Sequence, residues 1–225
     1  MSVSTFKLTG LLLFISASLV LGQNKKEVKQ DSLISFRPTG IRLGTDLVGL
    51  IKTGVTPGFS NQEFIADIDF NRYYVVAEAG RSSRDLSISN GEYSNSGSYL
   101  RVGVDVNFLV KDPDKNMFFL GFRYGRARYD ERVRYLSETE YGEQLKLSEN
   151  SGVSSGWAEL TTGLRIKVWR VLWMGYTGRL KFAPSTPGSS PIAPYDIPGY
   201  GLTFKKPWWG FSYYVMMRIP FQGQK

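Results

Sequence analysis

The stretch "GSYLRVGVDVNFLV", residues 97–110, constrains the fold more than any other part of the chain. From Leu100 onward Leu100, Val102, Val104, Val106 and Phe108 alternate with Arg101, Gly103, Asp105 and Asn107. Period-2 alternation puts every second side chain on one face of a strand, one face apolar and the other charged. About eight segments carry this period: 40–52, 63–70, 73–82, 99–110, 117–129, 156–168, 171–182 and 208–221. No stretch competes as a long amphipathic helix, although residues 47–53 could hold a helical turn.

The start of the chain bears on which face meets solvent. Residues 1–7 are weakly basic, 8–21 are mostly apolar, and Val20-Leu21-Gly22 offers cleavage positions, the pattern of a secretory signal peptide over 1–22. The apolar run is shorter than the roughly 20 residues that a spanning helix needs. The 225 residues contain no cysteine, which excludes disulfides and thiolate metal sites. The formal net charge of +8 permits contact with anionic lipid or nucleic acid, and an exported chain without a nucleic-acid-binding motif favours lipid. Residues 23–39 form a polar, basic tail, 40–221 the folded domain and 222–225 a short C-terminal tail.

The connections differ by end. Asn71-Arg72, "KDPDKN" and Trp169-Arg170 are short, whereas 53–62, 83–98, 130–155 and the proline-rich segment that contains Pro184 and Pro198 are long. Short turns at one end and long loops at the other are the pattern of an outer-membrane barrel, with an even strand number and both termini in the periplasm. The polar faces collect Arg42, Arg101, Arg123, Arg165, Lys167, Arg179, Lys181 and Arg218 against Asp46, Asp67, Asp69, Glu78, Asp105 and Glu159. Glycines 44, 80, 103, 121, 125, 163, 175 and 210 mostly share that face. A narrow eight-stranded interior needs small neighbours for long charged side chains, so the charged face is expected inside as a paired ion network, with the apolar face in lipid.

Aromatic residues support this orientation. Phe70, Tyr73, Phe108, Phe118, Phe119, Trp169 and Phe221 gather near the short turns, and Tyr124, Tyr129, Trp157, Phe182, Trp208 and Trp209 near the long loops. Two such girdles are expected at two membrane interfaces. The competing arrangement is a secreted lipocalin-type barrel, with the same alternation turned inside out around a small ligand.

Strands such as "GSYLRVGVDVNFL", "MFFLGFRYGRARY" and "WAELTTGLRIKVW", behind a signal peptide, resemble the small outer-membrane β-barrels of Gram-negative bacteria. The chain is particularly similar to an uncharacterised family of Bacteroidota type over nearly its whole length. The resemblance implies an all-β, eight-stranded antiparallel transmembrane barrel in the outer membrane, and it brings no activity. Enzymes that resemble such a barrel in outline use a histidine at their sites, and this chain has none. Without His or Cys the usual activated-nucleophile pairs are unavailable. Asp67 and Asp69 share a face, and membership of the ion network is the simpler account of them. "DPDKN" opens like a calcium loop but lacks its glycine and its bidentate Glu, and Glu138, Glu140, Glu143 and Glu149 make a solvated acidic loop.

No catalytic residue, cofactor or metal is expected. Three function classes remain in order: a non-catalytic accessory or structural subunit of an envelope assembly, such as one for outer-membrane protein insertion or export; a surface-binding barrel using its long loops; and a small pore. The expected partners are outer-membrane lipid and lipopolysaccharide, met by Lys205 and Lys206 beside Trp208 and Trp209, and a protein reached through the outer wall or residues 24–29.

Overall fold

A sheet whose residues alternate in character can remove its edges by closing on itself, and here it closes. The computed structural model describes residues 37–139, 142–182, 184, 193–204 and 208–221. The chain divides into units 1–34 and 35–225, and all described residues belong to the second. The expected signal peptide, most of the 23–39 tail, the 222–225 tail and Lys205 and Lys206 lie outside them.

Eight antiparallel strands close into a ring: β1 (Gly40–Asp46), β2 (Phe59–Phe70), β3 (Tyr73–Ile88), β4 (Gly91–Asn107), β5 (Met117–Thr139), β6 (Gly142–Trp169), β7 (Leu172–Lys181) and β10 (Trp208–Pro220). Each pairs with its neighbour in sequence, and β1 closes the barrel on β10 through Gly40↔Pro220 to Asp46↔Tyr214. The closing pair brings the two ends of the domain together, with the Phe221 amide donating to the Thr39 carbonyl at 3.1 Å. The two-residue turn at Asn71 uses a left-handed backbone, φ 64°, a conformation that asparagine tolerates. Between β7 and β10 the short strands β8 (Asp196–Ile197) and β9 (Gly201–Leu202) form a small hairpin of their own.

The faces separate as the alternation requires. Val75, Leu100 and Phe122 point outward at 50%, 51% and 58% exposure, while Arg42, Glu78, Arg101, Asp105 and Arg123 are buried inside. The glycines of the inner face make room: a Cβ on Gly121 would lie 2.0 Å from the Asp105 carboxylate, and one on Gly175 3.0 Å from Arg165 Cγ.

Two expectations about the elements need correction. The strand expected over 40–52 stops at Asp46, and α1 (Leu47–Val55) follows. Leu47, Val48, Leu50 and Ile51 are nearly consecutive rather than alternating, and Asp46 caps the helix by accepting from the Val48 and Gly49 amides at 3.2 and 3.0 Å. Segments 83–98 and 130–155, expected as loops, are largely strand. The β3–β4 ladder continues to Ile88↔Gly91 and the β5–β6 ladder to Thr139↔Gly142. Polar residues fill most of both faces there, so no hydrophobic period betrays the strands.

Candidate functional site

The barrel interior is the place where every wall strand contributes a functional group. Arg42 on β1 donates to Asp67 on β2 at 2.7 Å, and Asp67 also accepts from Arg165 on β6. Arg165 reaches Asp105 on β4 at 3.3 Å, and Arg123 on β5 clamps the same carboxylate at 3.1 and 2.9 Å. Arg123 passes on to Glu78 on β3, which also receives Arg179 of β7 at 2.9 Å and pairs with Arg101 Nε at 2.8 Å. Arg179 and Arg101 both approach Glu159, at 3.2 and 3.5 Å, and Arg101 also pairs with Glu63. Tyr214 of β10 completes the circle, hydrogen-bonded to both Arg179 and Glu63.

Aromatic rings support the cations. The Arg42 guanidinium lies 4.6 Å from the Tyr74 ring centre and 5.1 Å from that of Trp173, and Arg165 lies 4.8 Å from that of Phe119. At the short-turn end Arg218 donates to Asp69 at 2.9 Å, and Asp69 also accepts from the Thr39 and Gly40 amides at 2.6 and 2.9 Å.

The other end is capped by residues 193–204. Ile197 and Tyr200 are fully buried, and Tyr200 packs edge-on against Trp157 at 5.8 Å between ring centres. Lys181, buried at the top of β7, donates to the carbonyls of Gly199 and Tyr200 at 2.6 and 3.0 Å. The extended part of β3 and β4 holds the cap from the side: Arg84 pairs with Asp196 at 2.9 Å, Asn95 donates to the Asp196 carbonyl, and Tyr93 packs on Tyr195 at 5.3 Å. Burial pushes the Asp196 carboxyl up, with Arg84 and Lys181 pulling the other way.

Most of the expected ion network therefore meets in one place: Arg42, Asp67, Glu78, Arg101, Asp105, Arg123, Glu159, Arg165 and Arg179, with Asp69 and Arg218 joined to each other at one end and Lys181 under the cap. Asp46 sits apart from that chain of contacts, at the head of α1, where it also accepts from the Tyr213 amide at 2.9 Å. Lys167 is a correction. The register shifts between Lys167 and Trp169, and the exposed lysine reaches Asp114 in the neighbouring turn at 2.9 Å.

Trp157 is a second correction. It is an interior residue, 2% exposed, that donates from Nε1 to Glu159 at 2.7 Å. Phe119 and Tyr129 are likewise inside. Of the other expected interface tryptophans, Trp169 and Trp209 face outward at 68% and 69% exposure, and the Trp208 side chain lies outside what is described. The parity of the alternation marks all three inward aromatics, because 119 shares a face with Gly121 and Arg123, 129 with Arg123 and Gly125, and 157 with Glu159 and Arg165. Glu63 and Tyr214 were missed although both obey the same parity, with Asp67 and Arg218 respectively.

Chemically the arrangement is closed. The carboxylates of the central network, from Asp67 to Glu159, each accept from or pair with at least one guanidinium, which leaves them acceptors already engaged rather than free bases. Among the described residues no cluster of three potential metal ligands occurs.

The family model of a domain of unknown function, DUF6048, matches residues 3–224. The chain belongs to the DUF6048 family. The match runs through the whole ring, its cap and most of the segment that precedes it. No curated protein and no solved structure matches the chain.

Proposed function

We propose that this DUF6048 chain is a non-conducting, non-catalytic barrel of the outer membrane that serves as a structural or accessory subunit of an envelope assembly. The observation that carries the reading is the inversion of the closed sheet: paired charges fill the inside and large apolar side chains cover the outside. In water the exposed apolar belt would be unfavourable, since contiguous apolar patches of more than a few hundred Å² are rare on soluble monomers. In lipid it is the expected surface, and closure leaves no backbone edge unsatisfied. A lipocalin-type ligand site would need an open apolar interior, whereas here the ion network fills the middle and Val76, Phe119, Trp173 and Met216 pack beside it. Conduction is disfavoured by the filled network and by the cap across its mouth.

With the interior engaged and no histidine or cysteine available, function falls to surfaces, which supports association with a protein or lipid partner. A surface-binding role is the second reading, favoured by the rise of β3–β6 beyond Lys181 of β7 and Trp208 of β10. The test is purification from the outer membrane after mild solubilisation and crosslinking. A heat-modifiable, sheet-rich barrel that recovers a reproducible protein partner and is silent in planar bilayers is the expected result. Detergent-independent solubility overturns the membrane reading, and robust single-channel conductance by free monomer overturns the association reading in favour of transport.

A further inference from the structure

Two hollows on the outer wall meet at β2 and β3. The upper one, of about 890 Å³, is polar and lined by Arg81, Arg128, the hydroxyls of Ser60, Ser83, Ser96 and Ser98, and Asp130. The lower one, of about 600 Å³, is apolar, floored by the small side chains of Thr45, Ala66, Ala77 and Ala79 and walled by Phe64 and Met217. They are adjacent: Arg81 follows Ala79 at the next outward position of β3, and Gln62 and Phe64 stand beside them on β2.

The arginines of the upper hollow differ from their neighbours. Arg132 and Arg134, further along β5, are each paired to a carboxylate at 2.6 Å, with Glu149 and Glu92. Arg81 and Arg128 have no carboxylate partner among the described residues, and the nearby Asp130 accepts from the Gly152 amide at 2.6 Å. Both arginines are register partners of Ser98, from its two sides, which separates their backbones by roughly 10 Å across two strand spacings. Two guanidinium forks carried on strands two spacings apart, with hydroxyls between them, suit a ligand that carries phosphate and sugar oxygens. The volume is that of a small-molecule site and far exceeds a lone phosphate. The groove below accepts an acyl chain that the small residues let approach the wall.

We infer that this composite surface binds a phosphorylated, acylated glycolipid, with its headgroup between Arg81 and Arg128 and one chain in the Ala77–Ala79 groove. The inference rests on the membrane reading, which puts this end of the strands, opposite to the closing pair Gly40↔Pro220, in the outer leaflet where such glycolipids reside.

The test is native mass spectrometry of the full chain in detergent micelles with bis-phosphorylated lipid A, its dephosphorylated form, phosphatidylglycerol or inorganic phosphate added. Retention of bis-phosphorylated lipid A above the other three is expected. Arg81→Ser with Arg128→Ser should weaken it about tenfold or more, since each charge-assisted contact is worth that order. Ala77→Leu should weaken it as well, whereas Arg132→Ser should not. Equal retention by the double variant, or equal binding of phosphatidylglycerol or inorganic phosphate, overturns the inference. Vesicle insertion, followed by heat-modifiable migration, separates the two readings. A barrel that inserts yet does not retain lipid A defeats only the glycolipid site, and one that fails to insert defeats the membrane reading together with it.

Discussion

Among the described carboxylates Glu78 gathers the most guanidinium groups, since Arg101, Arg123 and Arg179 all converge on it. Burying such ions is costly unless they are paired, and removing one partner leaves the others uncompensated. Glu78→Gln is therefore expected to destabilise the barrel by about 3–5 kcal/mol, measured by urea unfolding of the detergent- or lipid-folded chain. Gly103 tests the packing beside the same network. A Cβ there would lie 2.0 Å from the Phe122 carbonyl oxygen and 2.7 Å from Arg123 Cγ. Gly103→Ala should cost about 1–3 kcal/mol in the same assay through overpacking, whereas Gly54, whose Cβ would meet nothing within 4 Å, should accept alanine freely.

At the scale of elements, α1 interrupts the wall where β1 ends. Asp46 holds both sides of that interruption, as the cap of the helix and as the acceptor for the Tyr213 amide of β10. Thr53 plays the matching part on β2, accepting from the Asn61 amide at 2.8 Å. Asp46→Ala should lose about 1–2 kcal/mol from the cap alone, and faster hydrogen exchange at Tyr213 should accompany it. On β6 the alternation itself can be tested. Leu164 faces outward between Phe118 and Tyr176, midway along the apolar row. Leu164→Arg is expected to cost about 2–4 kcal/mol when folding is measured in a bilayer. A neutral result there, with Arg165→Leu far worse, would speak for an aqueous exterior.

For the whole molecule, the interior and the cap act in series. Residues 193–204 close one end, and the ring of charge from Arg42 to Arg179 closes the middle. Replacement of residues 195–202 by a Gly/Ser linker should therefore leave the reconstituted barrel without appreciable conductance, because the network beneath the cap persists. A large conductance after that change would show that the cap is the true barrier. The engaged interior leaves the outer wall as the surface open to a ligand: the network arginines inside are paired, and Arg81 and Arg128, without carboxylate partners among the described residues, sit beside the apolar groove.

The alternation determined which strand residues share a side of the wall, because a period of two admits only two faces and one of them is charged. It put Arg101, Asp105, Glu159 and Arg165 on the charged faces, and the glycines beside them pointed those faces inward. Trp157, Phe119 and Tyr129 are aromatic and so point to girdles, although their parity puts them inside; Lys167 departs the other way, since it has the parity of Arg165 yet is exposed where the register shifts. Tertiary structure alone decided the rest. Which carboxylate meets which guanidinium depends on the register between strands far apart in the chain, such as Asp67 and Arg165, and alternation is unchanged when a register slips by two. The cap was hidden for a similar reason, since Asp196, Ile197 and Tyr200 gain their meaning only from the barrel mouth they close. The length of β3 to β6 was also concealed, because past Ser82 and Tyr129 those strands continue through backbone hydrogen bonds, which are the same for every sequence, and through polar pairs such as Arg132 with Glu149 that carry no hydrophobic period.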